Sequence, residues 1–321
     1  MRMLILDNLL FSINAVMPIF IILILGYFLK EKGLIDQYTI KKMNAVLFNV
    51  ALPMFLFRDI SRSNFTDVFD LRLLIFAVGT TCLSFVLIWV VAEIFIKDKS
   101  SIGAFVQGSF RSNYALIGLA LAYNVGGSEA VTKGALLMAF VIPCYNVLSV
   151  IVLTFRSKGN SDVGIKTALI SIIKNPLIIS IVLSLPFCLL QIGIPSIVNK
   201  SIDYMAGMAT PLAMLAIGGT IYLDEIKNRR IRLAVVGSAI KLIVQPIIYI
   251  PIALFLGIRG NGLLVLYIMY GSPTAVSSYV MASNMNGDVE LASDIFIITT
   301  LFSVITFTIG IYTFKVLGFI L

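Results

Sequence analysis

Long stretches of apolar residues recur along the whole chain, and they restrict its fold more than any other feature. We count ten of them, each close to the roughly 20 residues that a helix needs to cross a bilayer. Of the 321 residues, 59% are hydrophobic and 12% are charged, whereas a soluble domain carries about 25% charged residues. The sequence therefore predicts an all-α polytopic membrane protein without a large water-soluble domain.

Short polar connections separate the ten predicted spans. The spans cover residues 12–29, 39–57, 71–96, 103–124, 130–155, 167–190, 196–221, 232–256, 261–283 and 291–318. The first stretch has only Arg2 as a clear positive residue and lacks a small-residue cleavage site, so we expect a retained span and not a signal peptide. The expected location is the cell membrane, plasma or bacterial inner, with the spans in the lipid bilayer.

Lysine and arginine are unevenly distributed between the two sets of connections. The connections after spans 1, 3, 5 and 7 hold thirteen of these residues, and the opposite side holds eight. Because cytoplasmic connections carry the excess of positive charge, both termini are predicted to be extracytoplasmic. The net charge of +8 mostly reflects this bias, so it does not indicate a nucleic acid partner.

The second half of the chain repeats the first. "SNYALIGLALAYNVGG" (112–127) and "SPTAVSSYVMASNMNG" (272–287) share five of sixteen residues at a shift of 160 positions, where composition alone gives about one. A shift of 158 aligns Pro18 with Pro176 and Pro53 with Pro211. We therefore predict two copies of a five-span unit, residues 1–156 and 167–321, joined by a short cytoplasmic connection at 157–166.

An odd number of spans in each copy inverts the second copy relative to the first. Inverted repeats with helices interrupted at matching positions are typical of secondary transporters. "GSPTA" (271–275) interrupts the ninth span, and "RSNYA" (111–115) is its partner in the fourth. We expect two broken helices that cross near the midplane, where free N–H groups and positive dipole ends suit an anion. The alternative is a simple proline kink in one helix.

Polar residues at these two positions are the candidate substrate-binding residues. They are Arg111, Ser112, Asn113, Gly271, Ser272, Pro273 and Thr274. Asn113 and Thr274 can bond a carboxylate or free backbone groups, and Arg111 either attracts an anion or extends to an interface. Lys241 and Gln245 lie four residues apart on one face of the eighth span. An intramembrane lysine is a functional candidate, and we expect its ammonium to replace a bound sodium ion near the crossover.

The residue types disfavour several other classes of function. The chain has no histidine, and Cys82, Cys144 and Cys188 lie in apolar runs without paired spacing, so neither a cofactor nor a metal site is expected. No nucleophile and base set for an enzyme is recognisable. The lack of a mid-span carboxylate pair, together with Lys241, disfavours a cation/proton antiporter. A non-transporting membrane sensor is a third alternative, although no signalling domain is appended.

Several motifs, in order along the chain, resemble the auxin efflux carrier family of bacterial permeases and plant PIN-FORMED carriers. They are "RSNYALIGLALAYNVGG", "PCYNVLSV" (143–150), "KNPLIIS" (174–180), "MATPLAMLAIGGTI" (208–221) and "GSPTAVSSYVMA" (271–282). The resemblance covers nearly the whole chain. It implies the ten-span fold shared with bile-acid and sodium/proton transporters. Spans 1, 2, 6 and 7 would form a scaffold domain, and spans 3–5 and 8–10 a transport domain.

The same resemblance implies an elevator-type carrier of small organic anions, such as auxin-like or malate-like carboxylates, and a homodimer formed through the scaffold. Tyr145 and Asn146 resemble site residues of the family, although Asn146 is alternatively a hydrogen bond between helices. The plant carriers have proline in both broken helices. This chain has Ser112 and Asn113 at the first position, which leaves the break in the fourth span open.

Overall fold

The computed structural model describes residues 2–62, 69–156, 174, 176–221 and 231–320. These residues form α-helices and short π-helical turns, and the described part of the chain contains no β-strand. Within these described ranges, six helical stretches are long and apolar enough to cross a membrane. The all-α membrane class that the sequence predicts is therefore confirmed.

The first half of the chain contains three long helices followed by an interrupted segment. The helices are α1 (Arg2–Glu31), α2 (Gln37–Ser61), α3 (Leu71–Phe95), α4 (Lys99–Phe110) and α5 (Leu119–Arg156), with a π-helical turn at Tyr114–Gly118 between the last two. The predicted connection at 157–166 lies outside the described residues.

The second half contains shorter pieces around one long helix in its middle and another at its end. They are α6 (Pro176–Leu190), α7 (Ser196–Gly207), α8 (Ala209–Gly219), α9 (Ile231–Phe255), α10 (Gly260–Gly271), α11 (Val276–Asn284) and α12 (Val289–Val316). Two of the long helices contain a π-helical turn, Leu47–Ala51 in α2 and Ile240–Val244 in α9.

Aspartates fix the starts of four helices. The Asp36, Asp70, Asp98 and Asp288 carboxylates each accept a hydrogen bond from a backbone N–H in the first turn of the helix that follows. Such a side chain satisfies a donor that has no partner within the helix, and its negative charge complements the positive end of the helix dipole. Short polar connections therefore suffice to end one helix and begin the next.

Gly127 reverses the chain within the segment assigned to α5. Its φ of 64° and ψ of −160° lie outside the helical region, in a conformation that glycine adopts at little cost. A Cβ on Gly134 would overlap the Tyr114 hydroxyl, so the second arm of α5 packs back against the beginning of the first. The stretch Lys99–Arg156 spans 58 residues, and this reversal divides it.

Two glycines bring the first and second halves of the chain into close contact. A Cβ on Gly26 of α1 would collide with the Leu215 carbonyl, and a Cβ on Gly218 of α8 would collide with the Leu23 carbonyl. Small residues at a helix interface in a membrane allow backbones to approach closely. Lys30 at the end of α1 also donates to the Ile221 carbonyl over 3.2 Å, which places the ends of α1 and α8 together.

The helix boundaries of the two halves correspond. α3 and α9 are both 25 residues long and begin 160 positions apart, and α4 and α10 are both 12 residues long and begin 161 positions apart.

At the far end of α3, Glu93 forms ion pairs with Arg156 and Lys99. The carboxyl ends of α3 and α5 therefore lie beside the start of α4.

Candidate functional site

Two non-helical segments, one from each half of the chain, meet inside the protein. The first break, Arg111–Asn113, separates α4 from the π-helical turn, and the second break, Ser272–Ala275, separates α10 from α11. The Asn113 N–H donates to the Pro273 carbonyl over 2.7 Å. The first break therefore forms without a proline, and one of its freed backbone N–H groups finds a partner across the crossing.

Neutral side chains satisfy the carbonyl groups at the end of α4. Thr274 Oγ1 donates to the Gly108 carbonyl, and Gln245 Nε2 donates to the Ser109 carbonyl, both over 2.5 Å. The last carbonyls of a helix have no partner within it, and no water reaches them in hydrocarbon. Thr274 of the second break therefore completes the helix that leads to the first break.

A lysine performs the same task at the end of α10. The Lys241 ammonium is completely buried and donates to the Met269 and Tyr270 carbonyls over 3.1 and 2.7 Å. These carbonyls form the negative end of the α10 dipole, which a cation stabilises. Lys241 and Gln245 share one face of α9, as predicted, but they reach the ends of two different broken helices.

The side chains of the second break are already partnered. Ser272 Oγ donates to the Ile268 carbonyl over 2.6 Å, and the Thr274 N–H donates to Thr299 Oγ1 over 3.1 Å. Pro273 has no N–H, and its carbonyl accepts from Asn113. Gly271 is buried at the end of α10. The contacts of the second break therefore fix its own backbone. This applies to all four candidate residues there, Gly271, Ser272, Pro273 and Thr274.

The first break contains buried polar atoms without a partner. Ser112 Oγ, Asn113 Nδ2 and the neighbouring Tyr114 hydroxyl are shielded from solvent, and no hydrogen-bond partner lies within reach of them. Leaving such an atom unsatisfied costs roughly 1–3 kcal/mol. Ser112 and Asn113 belong to the first break, whereas the Tyr114 hydroxyl lies against Gly134 of α5.

Arg111 places a buried positive charge at the same break. The residue is 6% exposed, which argues against the alternative that its side chain extends to an interface. Its Nη2 donates to Asn146 Oδ1 over 2.8 Å, and its Nη1 contacts Ser149 Oγ at 3.4 Å and Met281 Sδ at 2.9 Å. No carboxylate of the described chain forms an ion pair with Arg111. Its partners are therefore all neutral.

Tyr145 and Asn146 lie at this break, as the family resemblance implies. Tyr145 is buried, and its ring packs edge-on against Phe110, the last residue of α4, with ring centroids 5.6 Å apart. Asn146 reaches Arg111 because the reversal at Gly127 brings the second arm of α5 back to the end of α4. Asn146 therefore contacts the first break directly, and Tyr145 contacts the helix that leads to it.

Two buried carboxylates were not among the candidate residues of the sequence analysis. Asp59 pairs with the adjacent Arg58 over 2.7 Å, and its backbone carbonyl accepts from Thr132 over 3.1 Å, so it links α2 to α5. Asp294 is buried in the second turn of α12. No group of three His, Cys, Asp or Glu residues suited to a metal ion occurs among the residues with assigned positions.

Long apolar helices around two interrupted segments that meet inside the protein are features of membrane transporters. The chain belongs to the family described as membrane transport proteins, the auxin efflux carrier family, whose model matches residues 11–311. The resemblance to this family is therefore confirmed, and the chain is a multi-pass membrane transporter and not an enzyme.

Curated relatives resemble the chain over nearly their full length. A candidate malonate transporter of Rhizobium meliloti is 26% identical over 94% of this chain and 95% of its own. An uncharacterised transporter of Methanothermobacter thermautotrophicus is 23% identical over 92% of this chain and 96% of its own. The uncharacterised transporter YfdV of Escherichia coli K12 is 23% identical over 96% of this chain and 99% of its own.

Proposed function

We propose that this transporter carries small organic anions, and that a substrate carboxylate binds Arg111 at the first break. The observation that carries the proposal is a buried guanidinium whose partners are all neutral. A charge in the membrane interior costs several kcal/mol unless it is compensated. An anionic substrate would supply the missing charge, while Ser112 Oγ and Asn113 Nδ2 would supply polar contacts.

The electrostatics of the two breaks support the same substrate class. Thr274, Gln245 and Lys241 already satisfy carbonyls at the negative ends of α4 and α10. The positive amino ends of the helical segments that follow each break have no such compensation from an acidic side chain in their first turns. Helix amino ends attract anions, so the remaining field at the crossing favours a carboxylate.

The experiment that tests this function measures uptake into proteoliposomes. The purified protein would be supplied with radiolabelled malonate, malate or indole-3-acetate, because the first is named for a relative and the others represent acids implied by the resemblance. We expect saturable uptake of at least one acid, lost in Arg111→Gln and retained in Lys32→Gln, a matched change at an exposed site. If the parent protein binds and transports none of these acids, the proposal fails.

We further propose the ten-span inverted topology, with both termini outside the cytoplasm of a cell membrane. The equal lengths of α3 and α9 and of α4 and α10 support two copies of one unit. So does the contact between the ends of α1 and α8. Single cysteines at Lys32 and Lys200, both exposed, should then react with impermeant reagents from opposite sides. Reaction from the same side would contradict the inverted repeat.

An elevator movement is the mechanism that we propose for the anion. α1, α2 and α6–α8 would form the scaffold, and α3–α5 and α9–α12 would carry the crossing. Phe55 of α2 and Tyr123 of α5 lie across this division with ring centroids 6.2 Å apart. A bifunctional thiol crosslinker between cysteines at these positions, in a chain without its own cysteines, should stop transport but leave substrate binding intact. Transport that survives complete crosslinking would exclude the movement.

A homodimer through the scaffold is the assembly that we propose. The support for it is the resemblance to the family alone. Crosslinking in native membranes at low protein density should yield a dimer, and a chain that remains monomeric there would contradict this assembly.

A further inference from the structure

A methionine sulfur occupies one edge of the buried guanidinium. Met281 Sδ lies 2.9 Å from Arg111 Nη1 and 3.5 Å from Gln107 Nε2, so two donors converge on one thioether. A thioether is a weak acceptor, whereas an arginine usually directs its donors at carboxylate or phosphate oxygens. The contact is therefore a weak substitute at a position suited to an anionic oxygen.

We propose that Met281 occupies, in the empty site, the position of one substrate carboxylate oxygen, and that the anion must displace it. This inference rests on the proposed function and adds a residue that determines affinity. Met281 belongs to α11, the helix after the second break, and its side chain is partly exposed. A second carboxylate oxygen would meet Arg111 Nη2, which now donates to Asn146 Oδ1 over 2.8 Å.

The exchange of partners is favourable for physical reasons. A carboxylate accepts two parallel hydrogen bonds from one guanidinium, and such charge-assisted bonds are roughly twice as strong as neutral ones. Methionine is unbranched and has three rotatable side-chain bonds, so it can leave Arg111 without a movement of the backbone. Met281 thus competes with the substrate in the empty carrier and lowers its apparent affinity.

The first experiment needs no substrate. Met281→Glu places a carboxylate beside Arg111, and Met281→Gln places a neutral group of similar size there. With Arg111 present, we expect the Tm of the glutamate variant to exceed that of the glutamine variant by about 2–4 °C. In the Arg111→Met background the difference should vanish or reverse, since a double-mutant cycle isolates the pair. Equal differences in both backgrounds would overturn the inference.

The second experiment measures binding of radiolabelled malonate to the purified carrier. Met281→Leu keeps the bulk and removes the sulfur acceptor, so we expect affinity to rise about fivefold, the effect of one weak contact. Met281→Glu should lower affinity at least about thirtyfold, because an internal carboxylate then occupies Arg111, and Met281→Gln should fall between them. Met54→Leu, on the exposed face of α2, is the matched control and should bind as the parent does.

The outcomes separate this inference from the proposed function. Malonate binding that Arg111→Met abolishes, but that neither Met281→Leu nor Met281→Glu changes, overturns the role of Met281 and leaves the anion site intact. A parent protein that binds no malonate, malate or indole-3-acetate overturns both. Tighter binding in the leucine variant, with loss of binding in the glutamate variant, supports the displacement of Met281.

Discussion

The first break, Arg111–Asn113, and the second break, Ser272–Ala275, interrupt corresponding helices but treat their polar groups differently. At the second break, Ser272, Thr274 and the Pro273 carbonyl all have partners within the protein. At the first, Ser112 Oγ and Asn113 Nδ2 have none, and Arg111 has only neutral ones. We infer that the second break has a structural role, in which it holds the crossing in place, and that the first break provides the polar contacts for a substrate.

Two buried cations express the same difference. The Lys241 ammonium donates to two carbonyls at the end of α10, so its charge is compensated by a helix dipole. The Arg111 guanidinium has only neutral partners, and we propose that it binds the substrate carboxylate. Removing either cation should impair the carrier. The stability of the empty protein should fall when Lys241 is removed but not when Arg111 is removed. This difference separates a structural cation from a binding one.

The largest effect is expected for Lys241→Met, which removes the cation of the second break. The Met269 and Tyr270 carbonyls would lose their charged donor, so the free energy of unfolding should fall by about 3 kcal/mol. Lys241→Arg should restore only part of this loss, because a planar fork does not replace a compact ammonium. Thermal unfolding in detergent measures both, with the exposed Lys32→Met as control. An unchanged Tm would remove the distinction between the cations.

Arg111→Met should produce the next largest effect, and on binding instead of stability. Loss of two charge-assisted hydrogen bonds should weaken carboxylate affinity by about 100-fold. The empty protein should be as stable as the parent or more stable, since an uncompensated buried charge is gone. Arg111→Lys keeps the charge without the fork and should lie between. Equilibrium binding and unfolding of the same preparations provide the measurement, and a destabilised Arg111→Met that still binds would refute the assignment.

Asn113→Ala should have a smaller effect at the same break. It removes one side-chain donor, Nδ2, and keeps the backbone N–H that bonds Pro273, so affinity should fall about fivefold. Asn113→Asp should bind more weakly than the alanine variant, because a like charge would face the substrate carboxylate. Asn49→Ala, at an exposed site, should bind normally. An aspartate variant that binds as tightly as the parent would place the anion elsewhere.

Pro273→Ala should change affinity least, by less than about threefold. Alanine is the best helix former, but Thr274 Oγ1 on the Gly108 carbonyl and Lys241 on α10 still hold the second break in place. Binding by the purified variant checks this expectation. A loss of tens-fold would mean that proline itself keeps the segment open and that the second break takes part in binding.

The sequence predicted the helical class from the length of its apolar stretches. Internal repetition indicated where the two breaks should lie, although the sequence left the break in the fourth span open. It also selected Arg111 and Lys241, since a charged residue within a long apolar stretch is conspicuous. It did not predict which carbonyls Lys241 reaches. Those contacts depend on how α9 packs against α10. The two carbonyls belong to Met269 and Tyr270, which lie 28 and 29 positions after Lys241 in the sequence.

The sequence analysis did not select Met281 or Asp59, for different reasons. A methionine in an apolar helix carries no charge and no motif, so its place on Arg111 emerges only from the crossing of the two halves. Asp59 follows Arg58 directly, and this adjacent opposite charge was a usable signal for a buried pair. Ser149, another partner of Arg111, depends on the reversal at Gly127, whose φ the sequence does not reveal.

The hydrogen bond from Asn113 to Pro273 has a consequence for biosynthesis. The ribosome adds Asn113 some 160 residues before Pro273, whose carbonyl is the acceptor. The Gly108 carbonyl is likewise made 166 residues before its donor, Thr274. Hydrocarbon offers no substitute partner in the interval. We therefore expect a nascent chain released after Arg156 to close the gap between α4 and α5 into a continuous helix. The open conformation at Arg111–Asn113 would then be acquired late, when α9 to α11 enter the membrane beside it.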